Sequence, residues 1–259
     1  MFRHLDLQVQ GDVAYVGLNR PDVHNAFNEA LIAELTECFT TLATDPAVRA
    51  VVLFGHGKSF CAGADLKWMQ RAAAYTEAEN IEDARVFSRM LDAIDTCPHP
   101  VIGRIHGVAL GGAMGLVSCC DIAIAAEGTR FGITEVRLGI IPAVISPYLV
   151  RKIGISQARS LALTGAFFDA RRAQAAGAIH EVVPAERLDA AVAEKIEAIR
   201  QCGPEAVTHC KKILHFVGNV SFEEGKEAMP RELALRRRSQ EAQERMAAFF
   251  AARERKRKK

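Results

Sequence analysis

An α/β domain with crossover connections, followed by a helical C-terminal region, is the fold class this sequence predicts. Three observations point to it. Short apolar runs of strand length alternate with segments whose apolar residues recur at helical spacing. Two of those runs lead into glycine-rich turns. Beyond about residue 184 only helical periodicity remains.

Taken in order, Val13 to Leu18 alternates enough to read as a strand. Leu31, Ile32, Leu35, Cys38, Phe39 and Leu42 fall on one face and predict a helix over 28–43. Asn28 is its N-cap and Asp45-Pro46 its stop. Ala50 to Phe54 is a short apolar run suited to a buried strand, and Gly55-His56-Gly57 turns after it. Glu77 to Ile94 reads as a helix broken by Pro98 and Pro100, and Val101 to Ile105 as the next strand. A glycine-rich turn then opens an apolar helix from about Gly112 to Cys119, and Ile122 to Ala126 is another strand.

Asp169 caps a helix that Gly177 ends, and Ile179 to Val183 is a strand or extended arm. Leu188, Ala191, Val192, Ile196 and Ile199 mark a late helix; Ala206, Val207, Cys210, Ile213, Leu214 and Val217 mark the next. Ser221 with Glu224 is a capping-box signature. The expected division is a core over 1–185 and a helical region over 186–259.

The 259 residues suit one sizeable domain with a small helical appendage, at an ordinary 49 % apolar and 25 % charged. No run approaches the roughly 20 apolar residues of a membrane span, and Met1 to Gln10 lacks a signal-peptide core. A cytoplasmic protein with no membrane partner is expected. The seven scattered cysteines form no Cys-x-x-Cys pair, so they read as mostly buried, reduced thiols, and no metal site is expected. Net charge is +2, but Arg253 to Lys259 alone carries +5, leaving a mildly acidic body and a basic tail.

Chemistry concentrates in two turns. Ser59-Phe60-Cys61-Ala62-Gly63-Ala64-Asp65-Leu66 follows the strand ending at Phe54, and His106-Gly107-Val108-Ala109-Leu110-Gly111-Gly112-Ala113 follows the strand ending at Ile105. Small residues let a ligand approach the main chain, and a helix start leaves N–H groups free. One amide from each turn, aimed at one carbonyl oxygen, makes an oxyanion hole that stabilises a thioester enolate. The plainer reading is that the glycines only permit tight strand-to-helix packing. Neither turn is a dinucleotide fingerprint or a Walker loop.

These turns are similar to the two oxyanion segments of the crotonase, or enoyl-CoA hydratase/isomerase, superfamily. Asn19-Arg20-Pro21, His24-Asn25-Ala26, Cys120-Asp121-Ile122, Phe131-Gly132, Glu135, Leu138-Gly139-Ile140, Pro142, Leu163-Thr164-Gly165 and Ala175-Ala176-Gly177 keep that family's order and spacing, so the resemblance spans Val13 to Phe250. It implies a crotonase-like ββα spiral core, a helical region that builds trimers or hexamers, and an acyl-CoA thioester substrate. No cofactor is implied beyond the coenzyme A of the substrate. It assigns oxyanion amides to Ala64 and Gly112 and the catalytic carboxyl to Glu135. Contacts to substrate are expected from His24, Asn25, Ala26, Ala62, Gly63, Asp65, Leu66, Trp68, Gly111, Gly115 and Pro142.

One departure matters. Hydratases of this family that use two glutamates carry one three residues beyond the second oxyanion glycine, where this chain has Gly115. Glu135 alone remains, among the apolar neighbours Phe131, Ile133, Val136 and Leu138, and partial burial is expected to raise its pKa toward the working pH. Arg20 to Phe27, Trp68-Met69 and Gly139 to Tyr148 further resemble hydratases of branched glutaconyl thioesters. That makes an enoyl-CoA hydratase the leading expectation, with a methylglutaconyl-like substrate whose distal carboxylate shares the missing work. An isomerase using one glutamate is the alternative, and a weakly active coenzyme A-binding or nucleic-acid-binding relative is a third. The basic tail supplies non-specific phosphate attraction without interleaved aromatics, which argues against nucleic acid as a main partner.

Asp65 reads as an N-cap or as an orienter of the first turn, Asp121 as a holder of backbone amides, and His106 as a packed or hydrogen-bonded histidine. Trp68 and Met69 fit core or acyl pocket equally, Tyr148 could reach the acyl end, and Lys211-Lys212 is a solvated face or a contact for phosphates.

Overall fold

The computed structural model describes residues 2–257 and divides into two units, Met1–Ile196 and Glu197–Lys259. In the first, strands β1 (Leu5–Gln10), β2 (Val13–Leu18), β3 (Ala50–Gly55), β4 (Val101–Ile105), β6 (Ile122–Ala126) and β9 (Glu181–Val183) form one sheet in the order β1-β2-β3-β4-β6-β9. β1 and β2 pair antiparallel as a hairpin; every later pair is parallel. Parallel neighbours need a crossover, and the helices supply it: α1 (Glu29–Leu42) leads from β2 to β3, while α2 (Leu66–Ala72) and α3 (Glu77–Asp95) lead from β3 to β4. β5 (Val108–Leu110), β7 (Arg130–Gly132) and β8 (Phe167–Asp169) form a second, three-stranded sheet. α4 (Ala113–Cys119), α5 (Ser146–Thr164), α6 (Ala170–Ala175) and α7 (Leu188–Arg200) complete the order up to the unit boundary, which α7 crosses.

The strands of the large sheet are nearly continuous apolar runs because both of their faces are covered. Val51, Leu53, Val101 and Ile105 are fully buried with Leu31, Leu35 and Phe39 of α1 and Met90, Leu91 and Ile94 of α3. Asn28 caps α1 as its spacing predicts, accepting the Leu31 N–H at 2.9 Å. A reciprocal capping box, Thr76 with Glu79, starts α3. Asp121 accepts the Val101 N–H at 2.7 Å and holds the first residue of β4. All seven cysteines are free thiols; Cys38, Cys61, Cys97, Cys119 and Cys120 are buried, and Cys202 and Cys210 are exposed. Burial pushes the Cys38 and Cys61 thiols up to about 12, so they are inert at neutral pH.

The second unit holds α8 (Pro204–Val217), α9 (Phe222–Arg237) and α10 (Gln240–Arg257). Ser221 and Glu224 form the expected capping box. The Glu241 carboxylate of α10 accepts the Glu205 and Ala206 amides at the start of α8, at 2.9 and 3.0 Å, and Arg236 of α9 donates to the same carboxylate. Residues Arg253 to Arg257 of the basic tail continue α10; Lys258 and Lys259 lie outside the described residues. Among the described residues no helix is long and apolar enough to cross a membrane.

Candidate active site

The two glycine-rich turns are laced together. Phe60 N–H donates to the His106 carbonyl at 2.8 Å, Cys61 N–H to Val108 at 3.0 Å, and Leu110 N–H to the Cys61 carbonyl at 3.1 Å. Cys61 and Ala109 are thereby a parallel bridge pair. Gly63 closes the approach: its φ is +91°, and a Cβ there would lie 2.7 Å from the Leu110 carbonyl oxygen. Only glycine fits such a backbone at such a distance.

Phe27 then serves both turns. Its N–H donates to the Gly63 carbonyl at 2.7 Å and its carbonyl accepts the Asp65 N–H at 2.8 Å, so it brackets Ala64. In a parallel bridge the central residue's own N–H points to the opposite side. Among the described residues no backbone acceptor takes the N–H of Ala64 or of Gly112. The Phe27 ring, meanwhile, lies 3.4 Å from where a Cβ on Gly112 would sit, and Phe87 lies 3.0 Å from it. The two rings meet edge to face, 5.2 Å apart at 66°. Gly112 is the N-cap of α4, so its amide stands at the end where N–H groups lack intrahelical partners.

Glu135 begins a single helical turn, Glu135–Leu138. Gly111, at φ +55°, lies beside it: a Cβ on Gly111 would be 3.6 Å from Glu135 Oε1. The Oε2 atom is buried and has no hydrogen-bond partner. Burial is the largest influence on this carboxyl and raises its pKa above the ordinary glutamate value, against opposing hydrogen bonds from its own amide and that of Thr134. Of the four apolar neighbours expected from sequence, Phe131 and Ile133 are fully buried, Val136 is half-buried, and Leu138 is exposed.

Position 115 is occupied by packing. Gly115 is buried in α4, and a Cβ there would lie 2.7 Å from Ile145 Cγ2 and 3.1 Å from Leu91 Cδ1. Hydrocarbon thus fills the space a second carboxylate would need. His24 and Asn25 both have left-handed backbones, at φ 52° and 56°. His24 is exposed, with Nδ1 2.9 Å from Ser59 Oγ, and its carbonyl accepts the Ala62 N–H at 3.0 Å; Asn25 and Ala26 are buried. Leu66 is 77 % exposed, available to a ligand, whereas Trp68 is buried and donates to Asp83 at 3.2 Å. The Pro142 carbonyl accepts from the Ser146 amide at 3.0 Å. Tyr148 is buried beside α3, 3.3 Å from Asp92, and His106 Nε2 lies 2.9 Å from the Gly57 carbonyl oxygen.

Asp65 unites both of its sequence readings. Its Oδ1 caps α2, accepting Lys67 N–H at 2.8 Å and Trp68 N–H at 3.4 Å, while Oδ2 accepts Arg20 Nη2 at 2.7 Å. Arg20 and Phe27 were quoted in the sequence only as parts of a motif; their partners stand about 40 residues away, beyond the reach of spacing arguments.

Comparison with known proteins gives this arrangement its family. Residues 8–257 match the family described as enoyl-CoA hydratase/isomerase. An enoyl-CoA hydratase of Alternaria alternata is 34 % identical over 216 residues, 83 % of this chain and 70 % of that protein. Among solved structures, an enoyl-CoA hydratase from Shewanella pealeana superposes with a TM-score of 0.93 at 36 % identity, covering 97 % of this chain and 94 % of its own. AtuE of Pseudomonas aeruginosa superposes at 0.91 with 36 % identity, covering 96 % of both chains. The fold and the two laced turns define a crotonase-type enzyme. The chain belongs to the enoyl-CoA hydratase/isomerase family, and the fold expected from its sequence holds.

Proposed function

We propose that the protein is an enoyl-CoA hydratase that works with a single carboxyl group, Glu135, and two main-chain donors, Ala64 and Gly112. The observation that carries this reading is the Glu135 carboxyl: half-buried, raised in pKa, without a hydrogen-bond partner on its buried Oε2, and with Oε1 beside Gly111. A group of that kind keeps its proton to higher pH than an ordinary glutamate and can give and regain it. In the hydration direction, the oxygen of water bonds to C3 as the C2–C3 π electrons shift toward the thioester carbonyl. The two amides stabilise the negative charge that gathers on that oxygen. The protonated Glu135 carboxyl gives its proton to C2, and the carboxylate regains one from the attacking water. No net proton is consumed. Several relatives bear the hydratase name, which supports water as the second reactant.

A branched glutaconyl thioester is the favoured substrate on the sequence motifs around Arg20 to Phe27 and Gly139 to Tyr148, since its own distal carboxylate can steady the water. The coenzyme A moiety is assigned to the stretch His24 to Ala26 and Ala62 to Ala64, and the assembly to trimers or hexamers. A second reading has its own support: the hydrocarbon from Ile145 and Leu91 at Gly115 leaves no polar group there to hold water, which suits a Δ3-Δ2 enoyl-CoA isomerase moving one proton between carbons.

Incubation with 2-enoyl and 3-enoyl thioesters in deuterated water separates the two. Hydration consumes the 2-enoyl absorbance and leaves deuterium at C2. Isomerisation creates that absorbance from the 3-enoyl form and leaves the 2-enoyl form intact, an outcome that would overturn the hydratase reading.

A further inference from the structure

We propose that Arg20 is a positioning residue for the oxyanion site: through Asp65 it sets the aim of the Ala64 N–H. The inference rests on the reading above that this N–H meets the thioester oxygen.

Arg20 lies at the start of the loop that leads from β2, in sequence 45 residues from Asp65. Its guanidinium is largely buried, with 14 % of its side chain exposed, against 9 % for Asp65. One nitrogen bonds the Asp65 carboxylate and another bonds the Ala26 carbonyl. The same loop is locked from behind. Asn25, fully buried, accepts the Arg20 N–H at 2.9 Å and donates to the Ser59 and His56 carbonyls at 2.7 and 2.9 Å. One unit of charge and a fork of donors therefore tie the loop carrying Phe27 to the turn carrying Ala64.

The geometry gives the tie a specific consequence. Ala64 is held on one side by the Phe27 main chain and followed directly by Asp65. The Asp65 carboxylate is divided: Oδ1 serves the helix and Oδ2 serves Arg20. Helix capping alone would fix one oxygen and leave the carboxylate free to turn about its own axis. Arg20 removes that freedom and holds Asp65 against the loop that carries Phe27, whose N–H in turn holds the Gly63 carbonyl of the peptide plane that presents the Ala64 amide. Burial works to raise the Asp65 pKa, but the hydrogen bonds from Arg20, Lys67 and Trp68 hold this carboxyl below the usual range and favour its ionised form.

Asp65→Asn isolates this role. Asparagine caps helices as well as aspartate does, so Oδ1 goes on accepting from Lys67 and Trp68. Its amide nitrogen, however, then faces the Arg20 donors and cannot accept. Arg20→Lys is the companion variant: it keeps the charge but cannot reach Asp65 and the Ala26 carbonyl together. The probe is butyryl-CoA labelled with carbon-13 at its carbonyl, which has no double bond to hydrate. Its infrared carbonyl band moves to lower frequency when oxyanion donors engage it.

In the wild type a lowered band is expected. In D65N the band moves most of the way back, with Kd for butyryl-CoA changed little, and turnover of the 2-enoyl thioester falls about tenfold to a hundredfold in kcat with KM nearly constant. R20K gives an intermediate band. A lowered wild-type band that both variants leave unchanged overturns the positioning role, as does a loss confined to KM. An unlowered band in the wild type instead overturns the oxyanion reading, and the proposal with it. Should D65N not fold, the R20K band alone decides: unchanged, the proposal fails.

Discussion

At the scale of the residue, the proposed chemistry centres on Glu135, and its surroundings make two expectations concrete. Glu135→Gln keeps the shape and removes the proton carrier, so turnover falls about 10²–10⁴-fold while thioester binding persists, as steady-state rates and a direct titration will show. The second concerns stability. The native Glu135 pKa is raised, so between the unfolded and folded values the native state binds more protons than the unfolded chain. Stability contributed by this group is therefore full at pH below the ordinary glutamate value and is lost as pH rises through the folded one. Thermal unfolding of E135Q across pH 4 to 8 will gain on the wild type as pH increases; a constant difference would refute the burial argument. Gly111 offers a third test. Gly111→Ala places a side chain on a φ of +55° and a methyl 3.6 Å from the Glu135 carboxylate, costing about 1 kcal/mol in stability and more in rate, read from a denaturant melt beside an activity assay.

The legibility of the site also divides at this scale. Glu135, Ala64 and Gly112 were reached through motif likeness, and partial burial of Glu135 followed from Phe131 and Ile133. The outward direction of Leu138 did not, because a single helical turn of four residues has no period long enough to read. Nothing in the sequence announced that Ile145 and Leu91 fill the space at Gly115: a missing side chain says nothing of what moved into its place. That packing changes how the second acid should be restored. Gly115→Glu alone forces its Cβ to 2.7 Å from Ile145 Cγ2 and its carboxylate into hydrocarbon, and will destabilise the fold. Combined with Ile145→Ala, which removes the nearest contact, it gives the fair trial of hydration on a plain crotonyl thioester, measured as loss of enoyl absorbance.

Elements tell a different story. Long, periodic segments were legible: α1 and its Asn28 cap, α3, the apolar strands β3, β4 and β6, and the capping box of α9. Their boundaries differ from the expected ones by a residue or two, where caps fray. β1 was missed because only its first residue is buried, so its alternation is weak. The second sheet was missed because β5, β7 and β8 have three residues each, too few for a period of two to register. α5 escaped notice because Gly154, at φ 71°, interrupts its helical course and breaks the pattern in the middle. The Thr76–Glu79 box supplies a control for the site variants. Thr76→Ala will cost about 1 kcal/mol of stability in chemical denaturation, and kcat will not change, because the cap lies at the start of α3, well before Phe87 and its contact with Phe27.

Across the whole molecule, the class of fold was open to reading from periodicity alone. What ties distant parts together was not. The Arg20–Asp65 pair, the ladder between Cys61 and Ala109, and the double service of Phe27 all join segments whose proximity exists only after the chain has wound back on itself. Local pattern describes how a segment behaves; it carries no address for the segment it will meet.

Phe27 has a consequence for the enzyme as a machine. Its main chain brackets Ala64 and its ring packs beside Gly112, so the gap between these two proposed donors is spanned by covalent bonds within one amino acid. Breathing of the sheet or of the surrounding helices can carry both donors along together without stretching the interval that a reacting oxygen must span. Rebuilding the walls around the acyl chain can then alter which molecules are accepted while leaving that gauge untouched.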